Sequence, residues 1–197
     1  WGTGQVCDLL DGAVARMMGA DGEQGAMLDA MADLVSAGLA PAFIGMALMM
    51  EWRAAGGLPS GFEWMPILAL LVMMAGAWRL ARFARGSGKA EDRRFDFAGI
   101  PAPMAALYWG AVLWVWASEG PASIEFIVWL GVVGVTLLPL GMVSRWPQFG
   151  FKTWGVDRGL DRLRLAWLIS LVGLVVWKGA FGGVLALISY PLTSAMF

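Results

Sequence analysis

Six long apolar segments run through this chain, and they restrict its possible folds more than any other feature. They cover residues 24–50, 63–83, 100–118, 122–143, 162–177 and 179–195. Only 15% of the residues are charged, whereas an ordinary soluble domain is roughly 25% charged. A membrane span needs about 20 apolar residues, and backbone groups in lipid need internal hydrogen-bond partners. The sequence therefore predicts an all-α, polytopic bundle of transmembrane helices, with residues 1–197 forming a single membrane domain.

Two boundaries are less regular than the others. The last two apolar segments are short and meet at Lys178 and Gly179, so they form two helices or one broken helix. Residues 1–19 have the character of the end of a further helix, and the chain begins with Trp1 instead of Met. We therefore expect N-terminal sequence, including a helix, to be missing from this chain.

The basic residues lie mostly on one side of the predicted bundle. Twelve of the fourteen Lys and Arg residues are Arg16 or lie within 79–94 and 145–164, and only Arg53 and Lys178 fall on the other side. The positive-inside rule places the basic loops in the cytoplasm. We expect an integral protein of the cytoplasmic (inner) membrane whose polar cavity opens to the cytoplasm. Interfacial positions are expected for three tryptophans: Trp52, Trp146 and Trp154.

The composition excludes several kinds of chemistry. There is no histidine and only one cysteine, Cys7, so an internal disulfide, a cysteine metal cluster and the usual zinc sites are excluded. Catalysis by a Ser-His or Cys-His pair is excluded for the same reason. The net charge of −1 says little about partners, and no nucleic-acid partner is expected. Any chemistry must use carboxylates, Arg, Lys and hydroxyls.

Four aspartates near the N-terminus fall on helical spacings. Asp8 and Asp11 are three residues apart, and Asp29 and Asp33 are four apart, so each pair lies on one helix face. Two antiparallel helices joined between the pairs would bring all four together. Each charge costs roughly 2.5–3.5 kcal/mol at the centre of a bilayer on insertion scales, so the cluster needs bound cations. A set of oxygen ligands suits a hard ion such as Mg²⁺ or Mn²⁺.

The aspartates belong to a longer pattern, D-x-x-D-G-x-x-A-R-x8-G-x-x-x-D-x-x-x-D, in residues 8–33. Every fixed position is filled: Asp8, Asp11, Gly12, Ala15, Arg16, Gly25, Asp29 and Asp33. This pattern is the signature of the CDP-alcohol phosphatidyltransferases, and the chain resembles that family. The resemblance implies a membrane enzyme of phospholipid synthesis that transfers a phosphatidyl group from a CDP-linked lipid, and it suggests a homodimer.

The resemblance also implies roles for these residues. The four aspartates would hold two divalent ions that bind the pyrophosphate of CDP-diacylglycerol, and Asp33 would also take the proton from the incoming alcohol. Gly12 and Ala15 would leave room for the nucleotide. Arg16 would stabilise the site electrostatically, and Gly25 would let the helices approach.

Later segments resemble the integral-membrane phosphatidylserine synthases within this family. They are "RLARF" at 79–83, "FAGIPAPMAAL" at 97–107, "MVSRWPQFGFK" at 142–152 and "DLVSAGLAPA" at 33–42. The implied acceptor is L-serine. Four positions depart from the usual pattern: Ala30, Ala37, Ala84 and Gly150. Four basic residues are candidates for contacts to lipid phosphate or to the acceptor: Arg79, Arg82, Arg145 and Lys152.

Two alternatives stay open. The first is the same chemistry with glycerol-3-phosphate, inositol phosphate or choline as the acceptor. The second is a divalent-cation transporter that uses the aspartates as an ion site, which predicts acids within several spans. In the second half of the chain, the one acid inside an apolar segment is Glu125, near the start of 122–143, which disfavours the transporter.

Overall fold

A computed structural model of the protein describes residues 31–57, 60–84, 97–119, 124–150, 155 and 157–194. In these ranges each of the six apolar segments corresponds to helix, which confirms the predicted all-α bundle. The helices are α1 (Ala40–Ala54), α2 (Met65–Leu68), α3 (Leu70–Ala84), α4 (Ala102–Glu119), α5 (Ile124–Val143), α6 (Arg158–Lys178) and α7 (Ala180–Ser194). By length and composition, three helical stretches of the described part could cross a membrane: Met31–Ala54, Met65–Arg82 and Glu125–Val143.

The helix that contains α1 begins with an irregular turn. Residues 31–34 are α-helical, Val35–Leu39 form a π-helix, and α1 follows without a break. The backbone N–H of Ala40 donates to the carbonyl oxygen of Val35, which is the i to i+5 bond of a π-helix. Single π-turns inside α-helices are frequent at functional sites. This turn begins two residues after Asp33.

The last two apolar segments form two helices. Gly179, with a φ of 57°, ends α6 in the left-handed region, which favours glycine. Its N–H donates to the carbonyl oxygen of Val175 at 2.8 Å, and α7 starts at the next residue. Farther along, the indole N–H of Trp167 in α6 donates to the carbonyl oxygen of Ala186 in α7 at 3.2 Å. The two helices therefore pack as a tight antiparallel hairpin.

Two buried tryptophans fill spaces that glycines leave between helices. Trp109 of α4 lies against Gly45 of α1 and Gly134 of α5, where an added Cβ would come within 2.9 Å and 2.6 Å of the indole. Trp52 of α1 packs in the same way against Gly131 of α5. Both side chains are fully buried. Trp52 therefore packs inside the bundle and not on its outer surface, because the missing side chain of Gly131 makes room for its ring; its depth in the membrane stays a prediction.

The outer surface of the bundle is apolar. Large hydrophobic side chains are exposed on several helices, among them Met74, Trp78, Trp129, Leu140 and Val176. A soluble protein rarely exposes a continuous apolar surface of this kind, whereas lipid is a suitable solvent for it. The exposed surface thus agrees with a helix bundle in a membrane.

A short β-ribbon closes one end of the bundle. Strand β1 (Phe97–Ala98) precedes α4, and strand β2 (Pro147–Gln148) follows α5. They pair antiparallel, with Phe97 opposite Gln148 and Ala98 opposite Pro147. The ribbon lies at the end where α3 and α5 finish and α4 begins. Asp33 belongs to this same end, as its contacts below indicate, and we call it the Asp33 end.

Candidate active site

The structure describes four of the residues that the sequence singles out: Asp33, Arg79, Arg82 and Arg145. The others lie outside the described residues: Asp8, Asp11, Gly12, Ala15, Arg16, Gly25, Asp29 and Lys152. So do residues 1–19, for which a further helix is predicted. One of the four predicted metal ligands is therefore described, and the two-ion site stays a prediction.

Asp33 and Arg79 are brought together by a close helix crossing. Gly38 of the π-turn lies against Gly76 of α3, and a Cβ on Gly76 would be 3.6 Å from the Cα of Gly38. Small residues let helix backbones approach closely. Asp33 precedes this crossing on its helix and Arg79 follows it on α3, so the antiparallel helices place them side by side. Asp33 thus lies within electrostatic reach of Arg79.

Arg79 is the centre of a polar group at the Asp33 end. Its guanidinium carbon lies 5.4 Å from the centre of the Phe97 ring, as in a cation–π contact. Asp33, Arg82 and Tyr190 all lie within electrostatic reach of it. Arg79 is half-buried, so its charge is screened less than that of a surface arginine. A half-buried guanidinium can bind phosphate oxygens in a bidentate way, although a phosphate there would compete with the carboxylate of Asp33.

Arg82 has a different environment, although it is only one turn farther along α3. Its guanidinium donates to the carbonyl oxygens of Ala98 at 2.6 Å, Val143 at 3.0 Å and Ser144 at 3.1 Å. The last carbonyls of a helix have no partners inside it, and a cation there also interacts well with the helix dipole. Arg82 thus ties the end of α5 to β1. The lipid-phosphate contact predicted for Arg82 stays a prediction. A phosphate group there would compete with three backbone carbonyls for the N–H groups of the guanidinium.

The turn between β1 and α4 is fixed by Gly99. Its φ is +83°, and a Cβ at this position would lie 2.6 Å from the carbonyl oxygen of Met142 and 2.7 Å from that of Ser144. Its N–H donates to the carbonyl oxygen of Trp146 at 2.8 Å. No side chain fits here, because the end of α5 occupies the space. Arg145 lies on the neighbouring turn between α5 and β2, where it is exposed.

Helix α7 forms hydrogen bonds with Phe149, the residue that follows β2. The hydroxyl of Tyr190 donates to the carbonyl oxygen of Phe149, and the N–H of Phe149 donates to the hydroxyl oxygen of Ser194 at 3.2 Å. The rings of Phe149, Tyr190 and Trp167 pack edge to face. Helix α7 therefore fixes the backbone directly after Gln148, the last residue of β2.

Sequence reasoning gave no role to three buried polar residues of this end: Arg164, Tyr190 and Gln148. Arg164 is fully buried and pairs with Asp161 at 2.8 Å. It lies four residues after Leu160 and three before Trp167, both buried, so the helical period places it on the inner face of α6. A charge on the inner face of a helix needs a partner. The position of Arg164 within the apolar pattern could therefore have indicated a buried ion pair from the sequence alone. Gln148 gave no such signal, because a glutamine in a loop is ordinary.

Replacing Arg82 with Ala should destabilise the protein, because three carbonyl acceptors lose a charged donor. Such bonds contribute about 1.5–3 kcal/mol, so we expect a clearly lower thermal unfolding midpoint in detergent. Arg53→Ala is the control, since the contacts of Arg53 among the described residues are exposed ones to Glu63, at the other end of the bundle, and surface ion pairs contribute about 0–1 kcal/mol. Equal midpoints for the two variants would show that Arg82 does not hold these loops.

The comparison with protein families gives one match. The family described as CDP-alcohol phosphatidyltransferase matches residues 2–138 of this chain. The match covers the predicted aspartate pattern, α1, α3, α4 and most of α5. It ends before β2, α6 and α7.

Several curated proteins are similar to the chain, and the three described below carry the name CDP-diacylglycerol–serine O-phosphatidyltransferase. The Mycobacterium leprae protein is 31% identical over 175 residues, which are 87% of this chain and 55% of that protein. The Helicobacter pylori protein (strain 26695) is 32% identical over 188 residues, 89% of this chain and 72% of that protein. The Saccharomyces cerevisiae protein is 36% identical over 107 residues, 51% of this chain and 34% of that protein. The chain thus spans about half the length of the first relative and most of the second.

Proposed function

Because the chain belongs to the CDP-alcohol phosphatidyltransferase family, we propose that it transfers a phosphatidyl group from CDP-diacylglycerol to L-serine. The products are phosphatidylserine and CMP. The names of the relatives from M. leprae, H. pylori and S. cerevisiae support serine as the acceptor. The protein thereby acts in phospholipid synthesis, within a lipid bilayer that supplies one substrate and takes up one product.

The observation that carries the proposal is the proximity of Asp33 to Arg79 at one end of an apolar bundle. Asp33 is the last aspartate of the family pattern, and its charge interacts with that of Arg79. A base for the acceptor hydroxyl and a cation for the phosphate are thus neighbours. This arrangement supplies positioning and charge, which are the main requirements of phosphoryl transfer.

The four predicted metal ligands fit two hard divalent ions. Asp8, Asp11, Asp29 and Asp33 are all carboxylates, in a chain without histidine, and oxygen ligands suit Mg²⁺ or Mn²⁺. When bound, such ions supply the positive charge that stabilises the attacking and leaving oxygens of an in-line displacement. Arg16, Gly12, Ala15 and Gly25 are proposed to lie around the nucleotide, as the family pattern implies.

The reaction proceeds by one displacement at the phosphorus on the lipid side. Asp33 accepts the proton of the serine hydroxyl, and the serine oxygen forms a bond to that phosphorus. The bond from the phosphorus to the oxygen of CMP breaks, and CMP leaves with the electron pair. Arg79 holds a phosphate oxygen during this step, and Arg145 and Lys152 are proposed to attract the serine carboxylate.

The membrane orientation follows from the distribution of charge. Arg79, Arg82, Arg145 and Arg164 belong to the Asp33 end, whereas Arg53 and Lys178 lie at the opposite one. We propose that the Asp33 end faces the cytoplasm, in the inner membrane, and that the protein is a homodimer. A transporter is disfavoured because the acids described in α5 and α6, Glu125 and Asp161, lie in the first turns of these helices.

The decisive experiment offers the purified protein CDP-diacylglycerol together with a panel of labelled acceptors. The panel contains L-serine, glycerol-3-phosphate, inositol phosphate and choline. We expect phosphatidylserine and CMP in equal amounts, loss of both with a chelator, and recovery with Mg²⁺ or Mn²⁺. Phosphatidylglycerophosphate or phosphatidylcholine without phosphatidylserine, at millimolar serine, would contradict serine as the acceptor and leave only the transferase chemistry.

A further inference from the structure

Gln148 carries a buried side-chain amide without a hydrogen-bond partner among the residues that the structure describes. Its side chain has 0% exposure, and neither Oε1 nor Nε2 has a donor or acceptor within hydrogen-bonding distance in the structure as described. Buried polar side chains nearly always have a partner, because an unpaired one keeps the whole cost of its desolvation. An amide in this state is available to pair with a bound molecule.

The register of the ribbon places Gln148 next to the candidate active site. Gln148 lies directly opposite Phe97, and directly opposite residues of an antiparallel pair extend to the same face. Phe97 covers the guanidinium of Arg79, and Arg79 interacts with Asp33. The amide therefore lies on the side of the ribbon that faces the predicted base and the predicted phosphate ligand.

The chemistry of the amide matches one part of the proposed reaction. A glutamine amide offers a carbonyl acceptor and an NH₂ donor at a fixed separation. Serine carries an ammonium group, which donates, and a carboxylate, which accepts. Neither the phosphates nor the acyl chains of CDP-diacylglycerol offer this combination of charges.

We propose that Gln148 binds the amino-acid part of the acceptor, with Oε1 accepting from the ammonium group and Nε2 donating to the carboxylate. This inference rests on the proposed function. The side chain has three rotatable bonds and no hydrogen bond to break, so it can turn towards the acceptor at little cost. Gln148 is thus a residue that selects serine over alcohols without a carboxylate, since a site built to pair with a polar group discriminates against a ligand that lacks it.

The test compares the wild-type protein with Gln148→Met, because the methionine side chain has a similar length to that of glutamine and no amide. We expect the KM for serine to rise about 10-fold or more, because hydrogen bonds to charged groups are lost, while the KM for CDP-diacylglycerol stays the same. The ratio of kcat/KM for serine to kcat/KM for ethanolamine, which has no carboxylate, should fall. The thermal unfolding midpoint should stay equal or rise, because an unpaired buried amide is removed.

Two further variants keep the test decisive. Gln148→Asn retains the amide on a shorter side chain and should give a KM for serine between those of wild type and Gln148→Met, even if the methionine variant folds poorly. Thr136→Val is the control, because the Thr136 hydroxyl bonds within its own helix, to Val132 at 2.6 Å, and no change in KM is expected.

An unchanged KM for serine and an unchanged serine-to-ethanolamine ratio in Gln148→Met and Gln148→Asn would overturn the inference, and Gln148 would be a packing residue only. Failure of the proposed function is distinguishable from this outcome. It would be seen in the wild-type protein, which would make no phosphatidylserine at all.

Discussion

Replacing Asp33 with Asn should abolish turnover and leave nucleotide binding largely intact. The amide keeps an oxygen that can face a metal ion, but it cannot accept the proton of the serine hydroxyl. General-base catalysis alone contributes about 10²–10⁴-fold, and the weaker metal ligand adds to the loss. The measurement is the rate of CMP release from CDP-diacylglycerol, together with binding of CMP in the presence of Mg²⁺.

Asp157→Asn is the matched control for this change. Asp157 lies at the same end of the bundle and caps α6, where Oδ1 accepts from the N–H groups of Gly159 at 2.7 Å and Leu160 at 3.3 Å. Asn caps helices about as well as Asp, so this variant should keep a near-normal rate. If Asp33→Asn also kept a near-normal rate, Asp33 would not be the base.

Replacing Arg79 with Ala should reduce kcat/KM for CDP-diacylglycerol by about 10- to 100-fold, since a charged hydrogen bond to phosphate contributes about 1.5–3 kcal/mol. Arg79→Lys should recover part of the loss, because lysine keeps the charge but not the bidentate geometry. The measurement is the steady-state rate at varied CDP-diacylglycerol in mixed micelles.

Arg53→Ala serves as the control here as well, because Arg53 lies at the other end of the bundle in an exposed ion pair with Glu63. It should leave kcat and KM unchanged. The same values for Arg79→Ala would make Arg79 an interfacial anchor with no contact to substrate. A lower unfolding midpoint with unchanged kinetics would lead to the same conclusion.

The helices could be predicted from the sequence because lipid restricts the backbone to few conformations. An apolar stretch of about 20 residues has to pair its backbone internally, so segment lengths alone located all six helical regions. Membership of the CDP-alcohol phosphatidyltransferase family was predicted equally well from the spacing between Asp8 and Asp33, and the family match over residues 2–138 confirms it. Both inferences depend on local patterns.

The different environments of Arg79 and Arg82 could not be predicted, because they depend on contacts between distant parts of the chain. Arg79 and Arg82 are three residues apart and lie on one face of α3, so the sequence around them does not distinguish their environments. Only the packing of β1 and the end of α5 gives Arg82 three carbonyl partners, whereas Arg79 meets Asp33. The burial of Trp52 could not be predicted for a similar reason, since the space that its ring fills is made by Gly131 of another helix.

The π-turn at Val35–Leu39 changes the phase of the helix that carries Asp33. A turn with i to i+5 bonding contains one residue more than an α-turn, and one residue corresponds to about 100° of rotation at 3.6 residues per turn. Residues 31–34 and α1 are thus rotated relative to each other about the helix axis. A helical wheel that treats both as one regular α-helix assigns Asp33 to the wrong face. One continuous helix can thereby present its apolar stripe towards the core and its carboxylate in a separate direction, towards Arg79.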